Sequence, residues 1–88
     1  MKRLFLLCCL VIMATEARAQ TCLVNDPTGT PLNVRARPNG PILGALYNGT
    51  PVQILEITSD SSGRQWAYIA PLEVGKRGWV FEAYLTCN

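Results

Sequence analysis

The residue types that could carry chemistry in this 88-residue chain are cysteines, carboxylates and aromatic side chains. The chain contains no histidine. Without an imidazole there is no general base for a catalytic triad and no typical zinc site. The carboxylates form no closely spaced pair or cluster of the kind that hydrolysis or metal binding uses. Beyond the N-terminal segment they are Asp26, Glu56, Asp60, Glu73 and Glu82. We therefore expect a protein that is not an enzyme and that needs no metal or cofactor.

The first 19 residues have the three parts of a secretory signal peptide. Lys2 and Arg3 give a positive start, residues 4–14 are an unbroken apolar run, and Ala17-Arg18-Ala19 is a small-x-small cleavage site. The apolar run is shorter than the roughly 20 residues that a membrane-spanning helix needs, which disfavours the alternative of a short membrane anchor. We predict cleavage after Ala19 and a secreted or periplasmic protein of residues 20–88.

The mature segment carries no net charge, although the whole chain is basic. The full chain has 8 Lys and Arg residues against 6 Asp and Glu residues. Removal of the signal takes away three basic residues and one acidic residue, which leaves five of each. We therefore expect no basic surface that would bind nucleic acid or an anionic membrane.

Two cysteines remain after removal of the signal, and they lie near the two ends of the mature chain. Cys8 and Cys9 leave with the signal, whereas Cys22 and Cys87 stay. An even pair of cysteines in an exported chain predicts a disulfide, with two free thiols as the alternative. Such a bridge encloses nearly the whole domain and is worth about 4 kcal/mol in the chain-entropy model. It would also make the first and last strands neighbours.

Clusters of turn residues at roughly ten-residue intervals indicate a small all-β protein. The predicted strands are residues 22–24, 32–35, 42–47, 52–58, 65–70, 78–81 and 85–87, with one helical turn at residues 82–84. The alternation of apolar residues slips near Leu55, which predicts a bulge there. The predicted core consists of Val34, Leu43, Leu46, Val52, Ile54, Ala67, Ile69 and Val80.

Three local patterns indicate how the strands are arranged. Asn48-Gly49 is a strong two-residue turn signal. Gly78 is expected to allow a close approach between the backbones of two strands. Along residues 65–69, Ala67 and Ile69 point to one face while Trp66 and Tyr68 point to the other. We therefore predict that Trp66 faces outward and is exposed.

The segment Leu32-Asn33-Val34-Arg35-Ala36-Arg37-Pro38 resembles the opening signature of bacterial Src-homology-3 (SH3) domains. Four later segments resemble further pieces of that family in the same order, at residues 42–46, 48–52, 65–69 and 78–85. The resemblance covers residues 32–85, which is most of the mature chain. It implies a small SH3-like barrel of five to six antiparallel strands, with one short 3-10 turn before the last strand.

The resemblance also implies a ligand-binding groove lined by aromatic rings. Such rings suit a proline-rich strand or a sugar ring, and the alternative is that they only close the ends of the barrel. Two arginines stand where eukaryotic SH3 domains have an acidic loop, so they could meet a carboxylate of a ligand or remain solvated charges. The predicted groove residues are Trp66, Trp79, Phe81, Tyr84, Arg35 and Arg37.

Related domains are often attached to cell-wall hydrolases, which they target to peptidoglycan. The resemblance therefore implies an exported binding module that recognises peptidoglycan or its peptide stems. The alternative is a protein–protein interaction module that binds an envelope or secreted partner as an adaptor, inhibitor or effector. In both cases we expect a monomer that does not bind membranes once the signal has been removed.

We predict that the protein isolated from its native host begins at Gln20, because the signal is removed after Ala19. Measurement of the intact mass would show this start directly, with or without cyclisation of Gln20 to pyroglutamate. Full-length protein retained in the cytoplasm would contradict the prediction, and it would also remove the argument for an oxidising compartment.

Overall fold

The computed structural model describes residues 20–87, so the predicted signal peptide (residues 1–19) and its cleavage site lie outside the described residues. The described part of the chain forms seven β-strands and one 3-10 turn. Each strand matches a predicted one to within two residues at either end. The strands are β1 (Gln20–Val24), β2 (Leu32–Arg35), β3 (Ile42–Leu46), β4 (Pro51–Ser59), β5 (Gln65–Pro71), β6 (Gly78–Phe81) and β7 (Leu85–Cys87), and the 3-10 turn is Glu82–Tyr84.

The strands form one antiparallel sheet in the order β3-β2-β6-β5-β4-β1-β7. The predicted all-β class is therefore confirmed. The sheet of the described residues has seven strands, where the family resemblance implies five to six. The addition is β1, which precedes the region of resemblance and pairs with both β4 and β7. First and last strands are thus neighbours.

A disulfide between Cys22 and Cys87 joins β1 to β7, as predicted. The two residues lie directly opposite each other in the strand register, and their Cα atoms are 4.4 Å apart. That separation is typical of an antiparallel pair whose two residues do not exchange hydrogen bonds. Because Cys22 is buried among the core residues, the bridge is also part of the core.

One cluster of buried apolar side chains fills one face of the sheet. It consists of Cys22, Val24, Leu32, Val34, Leu46, Val52, Ala67, Ile69 and Val80. Six of the predicted core residues belong to this cluster, and Ile54 packs against it while remaining partly exposed. The core therefore draws on every strand from β1 to β6.

The prediction that Leu43 belongs to the core is wrong, since this residue is 41% exposed. The register between β2 and β3 shifts at this point: Gly44 lies opposite Val34, whereas Ile42 lies opposite Arg35. Leu43 is three positions from the buried Leu46, so alternation already turns it away from the core, and it is also the extra residue of this bulge.

The predicted bulge near Leu55 is confirmed. Ile54 lies opposite Ile69, whereas Glu56 lies opposite Tyr68, so Leu55 is the extra residue. The bulge keeps Ile54 beside the core and moves Glu56 to the other face of the sheet. After the bulge, the residues of β4 therefore point to the face opposite the one that alternation from the first half of the strand predicts.

The predicted turn at Asn48-Gly49 is confirmed, and it also holds the β1–β2 loop. Gly49 has a φ of +89°, a conformation that favours glycine. The Asn48 side chain accepts a hydrogen bond from the Asp26 N–H at 2.8 Å and donates one to the Asp26 carbonyl at 3.2 Å. These two bonds fix the β1–β2 loop, which forms one wall of the smaller of the two cavities described below.

Gly78 lets β6 pass close to β2, as the sequence predicts. A Cβ atom on Gly78 would lie 2.5 Å from Cγ1 of Val34 and 2.8 Å from the carbonyl oxygen of Arg35. Both contacts are shorter than a carbon atom can make without a steric clash. A side chain at this position must therefore push the two strands apart.

We expect Gly78→Ala to lower the free energy of unfolding by about 1–3 kcal/mol, the usual cost of overpacking a core. Unfolding by urea would measure the change. Gly44→Ala is the matched control, because a Cβ atom there meets no other atom within 4 Å, and its stability should stay close to that of the wild type. Equal stability of the Gly78 and Gly44 variants would show that β2 and β6 are not closely packed.

Candidate ligand-binding cleft

The outer face of β5 and β6 carries four aromatic side chains. Alternation along these strands turns their aliphatic residues into the core and their aromatic residues to the opposite face. In the strand register Trp66 lies opposite Phe81, and Tyr68 lies opposite Trp79. The ring centroids of the two pairs are 4.2 Å and 5.2 Å apart, close enough for favourable aromatic contact.

Trp66 is buried, which corrects the prediction of an exposed groove tryptophan. Only 1% of the residue is exposed. It lies on the face opposite Ala67, as the alternation predicts, but the Phe81 ring packs against it and its indole N–H donates to Asp60 at 3.0 Å. Trp66 therefore packs beneath the Phe81 ring and offers almost no exposed surface to a ligand.

Phe81 and Tyr84 line two cavities on this face. Their rings meet edge to face with centroids 5.7 Å apart. The larger cavity is an open cleft of about 400 Å³, a volume typical of small-ligand sites. We call it the open cleft, and it is lined by Arg64, Gln65, Phe81, Glu82, Ala83 and Tyr84.

The second cavity, which we call the narrow cavity, has a volume of about 130 Å³. It lies between the β1–β2 loop, β2 and the aromatic rings. Its walls include Asp26, Pro31, Arg35, Trp66, Phe81 and Tyr84. The structure therefore brings four of the six predicted groove residues together around one cavity: Arg35, Trp66, Phe81 and Tyr84.

The remaining predicted groove residues lie apart from both cavities. Arg37 is exposed and lines neither of them, and Trp79 packs on Tyr68 outside them. Arg35 lines the narrow cavity, but its Nη1 also donates to the Gly40 carbonyl at 2.8 Å. This bond gives Arg35 a structural role in holding the β2–β3 loop.

Asp60 is the hydrogen-bonding centre behind the open cleft, and its side chain is only 6% exposed. Its Oδ2 accepts from Trp66 Nε1 at 3.0 Å, and from Asn39 Nδ2 and Arg64 Nε at 3.1 Å each. Its Oδ1 accepts from the N–H groups of Ser62 and Arg64 at 2.9 and 3.0 Å. The hydrogen bond from Trp66 above all, together with the others, holds the pKa of Asp60 well below its usual range.

Arg64 is a candidate ligand contact that the sequence analysis missed. Its guanidinium lies 5.2 Å from the centroid of the Phe81 ring, and its Nη2 donates to Asn39 Oδ1 at 3.2 Å. With the bond from Nε to Asp60, these contacts hold a half-exposed cation at the open cleft. The sequence signal was weak, since Arg64 is one charged residue in a surface turn, two positions before Trp66.

The open cleft offers aromatic rings, one guanidinium and one carboxylate as contacts for a ligand. Within residues 20–87, no group of three or more His, Cys, Asp or Glu side chains is placed to hold a metal ion. In the same part of the chain, no helix has the length and apolar character needed to cross a membrane.

The sequence model of the bacterial SH3 domain family matches residues 30–86. This match spans more than half of the chain, and the chain therefore belongs to the bacterial SH3 domain family. Domains of this family are typically binding modules, and the SH3-like fold expected from the sequence is confirmed. No curated protein and no solved structure matches the chain significantly.

We expect the free energy of unfolding to fall as the pH drops below about 4, partly because of Asp60. The pKa of Asp60 lies below its unfolded value, so the ionised carboxylate stabilises the fold above that value, and this contribution is lost as the pH falls toward the folded pKa. Asp60→Asn should therefore be less stable than the wild type at neutral pH and should have a shallower acid slope.

Urea unfolding of the wild type and Asp60→Asn at several pH values between about 2 and 7 would measure both effects. Glu73→Gln is the matched control, because it also removes one carboxylate, from an exposed position in the β5–β6 loop. An acid slope in Asp60→Asn as steep as that of the wild type would contradict the role given to Asp60.

Proposed function

We propose that this protein is an exported, non-enzymatic binding module that recognises peptidoglycan through its peptide stems. Membership of the bacterial SH3 domain family supports a binding role. The open cleft is the observation that carries the proposal, because it combines a suitable volume with aromatic walls and a held cation.

The open cleft suits a short extended segment of a polymer. Phe81 and Tyr84 offer rigid ring surfaces, which make broad contact at a low cost in side-chain entropy. The cleft is open to solvent rather than enclosed, so a segment can enter without a free end. Peptide stems also carry carboxylates, and the guanidinium of Arg64 is a donor group that suits them.

The disulfide supports a location outside the cytoplasm. Disulfides persist in oxidising compartments and are rare in the cytosol. Cys22 and Cys87 are the cysteines of the described residues, and they are bonded to each other. Together with the predicted signal peptide, this supports export to the compartment in which peptidoglycan lies.

Binding of an envelope or secreted protein is the second candidate function, and a different surface favours it. Ile42 is 54% exposed, Leu43 is 41% exposed and Tyr47 is 76% exposed, all along or just after β3. β3 is also the terminal strand at one side of the sheet. Exposed apolar residues beside a sheet edge are typical of contact surfaces between proteins.

Sedimentation of the mature protein with purified sacculi tests the first function. We expect the wild type to co-sediment and Ala83→Trp to bind at least about fivefold more weakly, the effect of losing about 1 kcal/mol of binding energy. Ala83 is exposed and lines the open cleft, so a large side chain there blocks the cleft while the supporting rings remain.

Tyr47→Ala is the matched control, because Tyr47 is exposed and lines neither cavity. It should bind sacculi as the wild type does. A wild-type protein that fails to sediment with sacculi would contradict the first function. If that protein instead captures an envelope protein and loses it on Tyr47→Ala, the second function is the correct one.

A further inference from the structure

Two opposite charges line the open cleft. Arg64 comes from the β4–β5 turn, and Glu82 is the first residue of the 3-10 turn. The Phe81 and Tyr84 rings line the same cleft. A cleft with one cation and one carboxylate beside aromatic rings is complementary to a ligand that carries both charges close together.

Arg64 is held in place but keeps donors for a ligand. Its Nε is used by Asp60 and one N–H of Nη2 by Asn39. Its remaining N–H groups belong to a side chain that is 53% exposed. A planar guanidinium fixed in this way can donate to a ligand carboxylate with little further loss of side-chain entropy.

Glu82 carries the uncompensated charge of the open cleft. Asp60 already forms an ion pair with Arg64 at 3.1 Å and so balances the charge of that guanidinium. Within residues 20–87, the carboxylate of Glu82 accepts no hydrogen bond and caps no helix end. An ammonium group on the ligand would supply Glu82 with a partner, whereas a ligand that carries only carboxylates would be repelled by it.

We propose that the open cleft recognises the diamino acid of a stem peptide when its side chain ends in a carbon that bears both an ammonium and a carboxylate, as in diaminopimelate. The carboxylate binds the free N–H groups of Arg64, and the ammonium binds Glu82. This inference rests on the proposed function, since it names the part of the peptide stem that the open cleft binds.

Two synthetic stem peptides test the inference. They are identical except that one contains diaminopimelate and the other contains lysine, which lacks only the terminal carboxylate. We expect the wild type to bind the diaminopimelate peptide about fivefold more tightly, the upper range for a half-exposed ion pair. Titration calorimetry at two salt concentrations would measure this ratio, which should shrink as salt screens the charges.

Substitutions at Arg64 and Glu82 test which of these residues binds the carboxylate of the ligand and which binds its ammonium. Arg64→Gln should bind both peptides equally, whereas Arg37→Gln, which changes an exposed arginine away from both cavities, should keep the wild-type ratio. Glu82→Gln should weaken binding of both peptides and keep their ratio, because both carry the ammonium. Arg64→Lys, which keeps the charge but not the planar fork, should retain only part of the ratio.

Failure of this inference is distinguishable from failure of the proposed function. Equal binding of both peptides by the wild type, or tighter binding by Glu82→Gln, overturns the inference and leaves recognition of the stem intact. Binding to sacculi without binding to either peptide also overturns it. Absence of binding to sacculi and to both peptides overturns the inference together with the proposed function. If Arg64→Gln does not fold, the wild-type ratio decides.

Discussion

The hydrogen bond from the Trp66 indole to the Asp60 carboxylate is the interaction on which the candidate binding face depends. Asp60 belongs to the β4–β5 turn, and the same Oδ2 atom also accepts from Asn39 in the β2–β3 loop and from Arg64. One carboxylate therefore ties two loops to the outer face of the sheet. Since the side chain is almost fully covered, the carboxylate depends on these protein donors rather than on water, and an acceptor left without them would be costly.

Burial of Trp66 gives this small domain a second packed layer. The core cluster lies on one face of the sheet and consists of small and medium-sized apolar residues. On the opposite face, Phe81 packs against Trp66, and Tyr84 contacts Phe81 while also packing against the core cluster. A domain of this size has little core to offset the entropy of ordering its chain, so burial on both faces and the disulfide between β1 and β7 both add to its stability.

The same layer that stabilises the domain forms its candidate binding surface. Phe81 and Tyr84 are partly exposed, whereas Trp66 beneath them is not. The two partly exposed rings are thus supported by a ring that is buried. The carboxylate of Asp60, which accepts from the Trp66 indole, also holds Arg64. Such a site is formed before a ligand arrives, which lowers the entropy lost on binding.

The sequence by itself determined the strands, the Asn48-Gly49 turn, the bulge at Leu55 and the disulfide, because each depends on a short pattern or on a choice between few partners. It also predicted which face of β5 Trp66 lies on. Only the tertiary structure decided that Trp66 is buried and that Arg64 lies at the open cleft. Period-two alternation predicts which face of a sheet a residue lies on, but loops distant in sequence determine whether that face is covered. A register shift between two strands determines where the buried and exposed positions of a strand exchange faces.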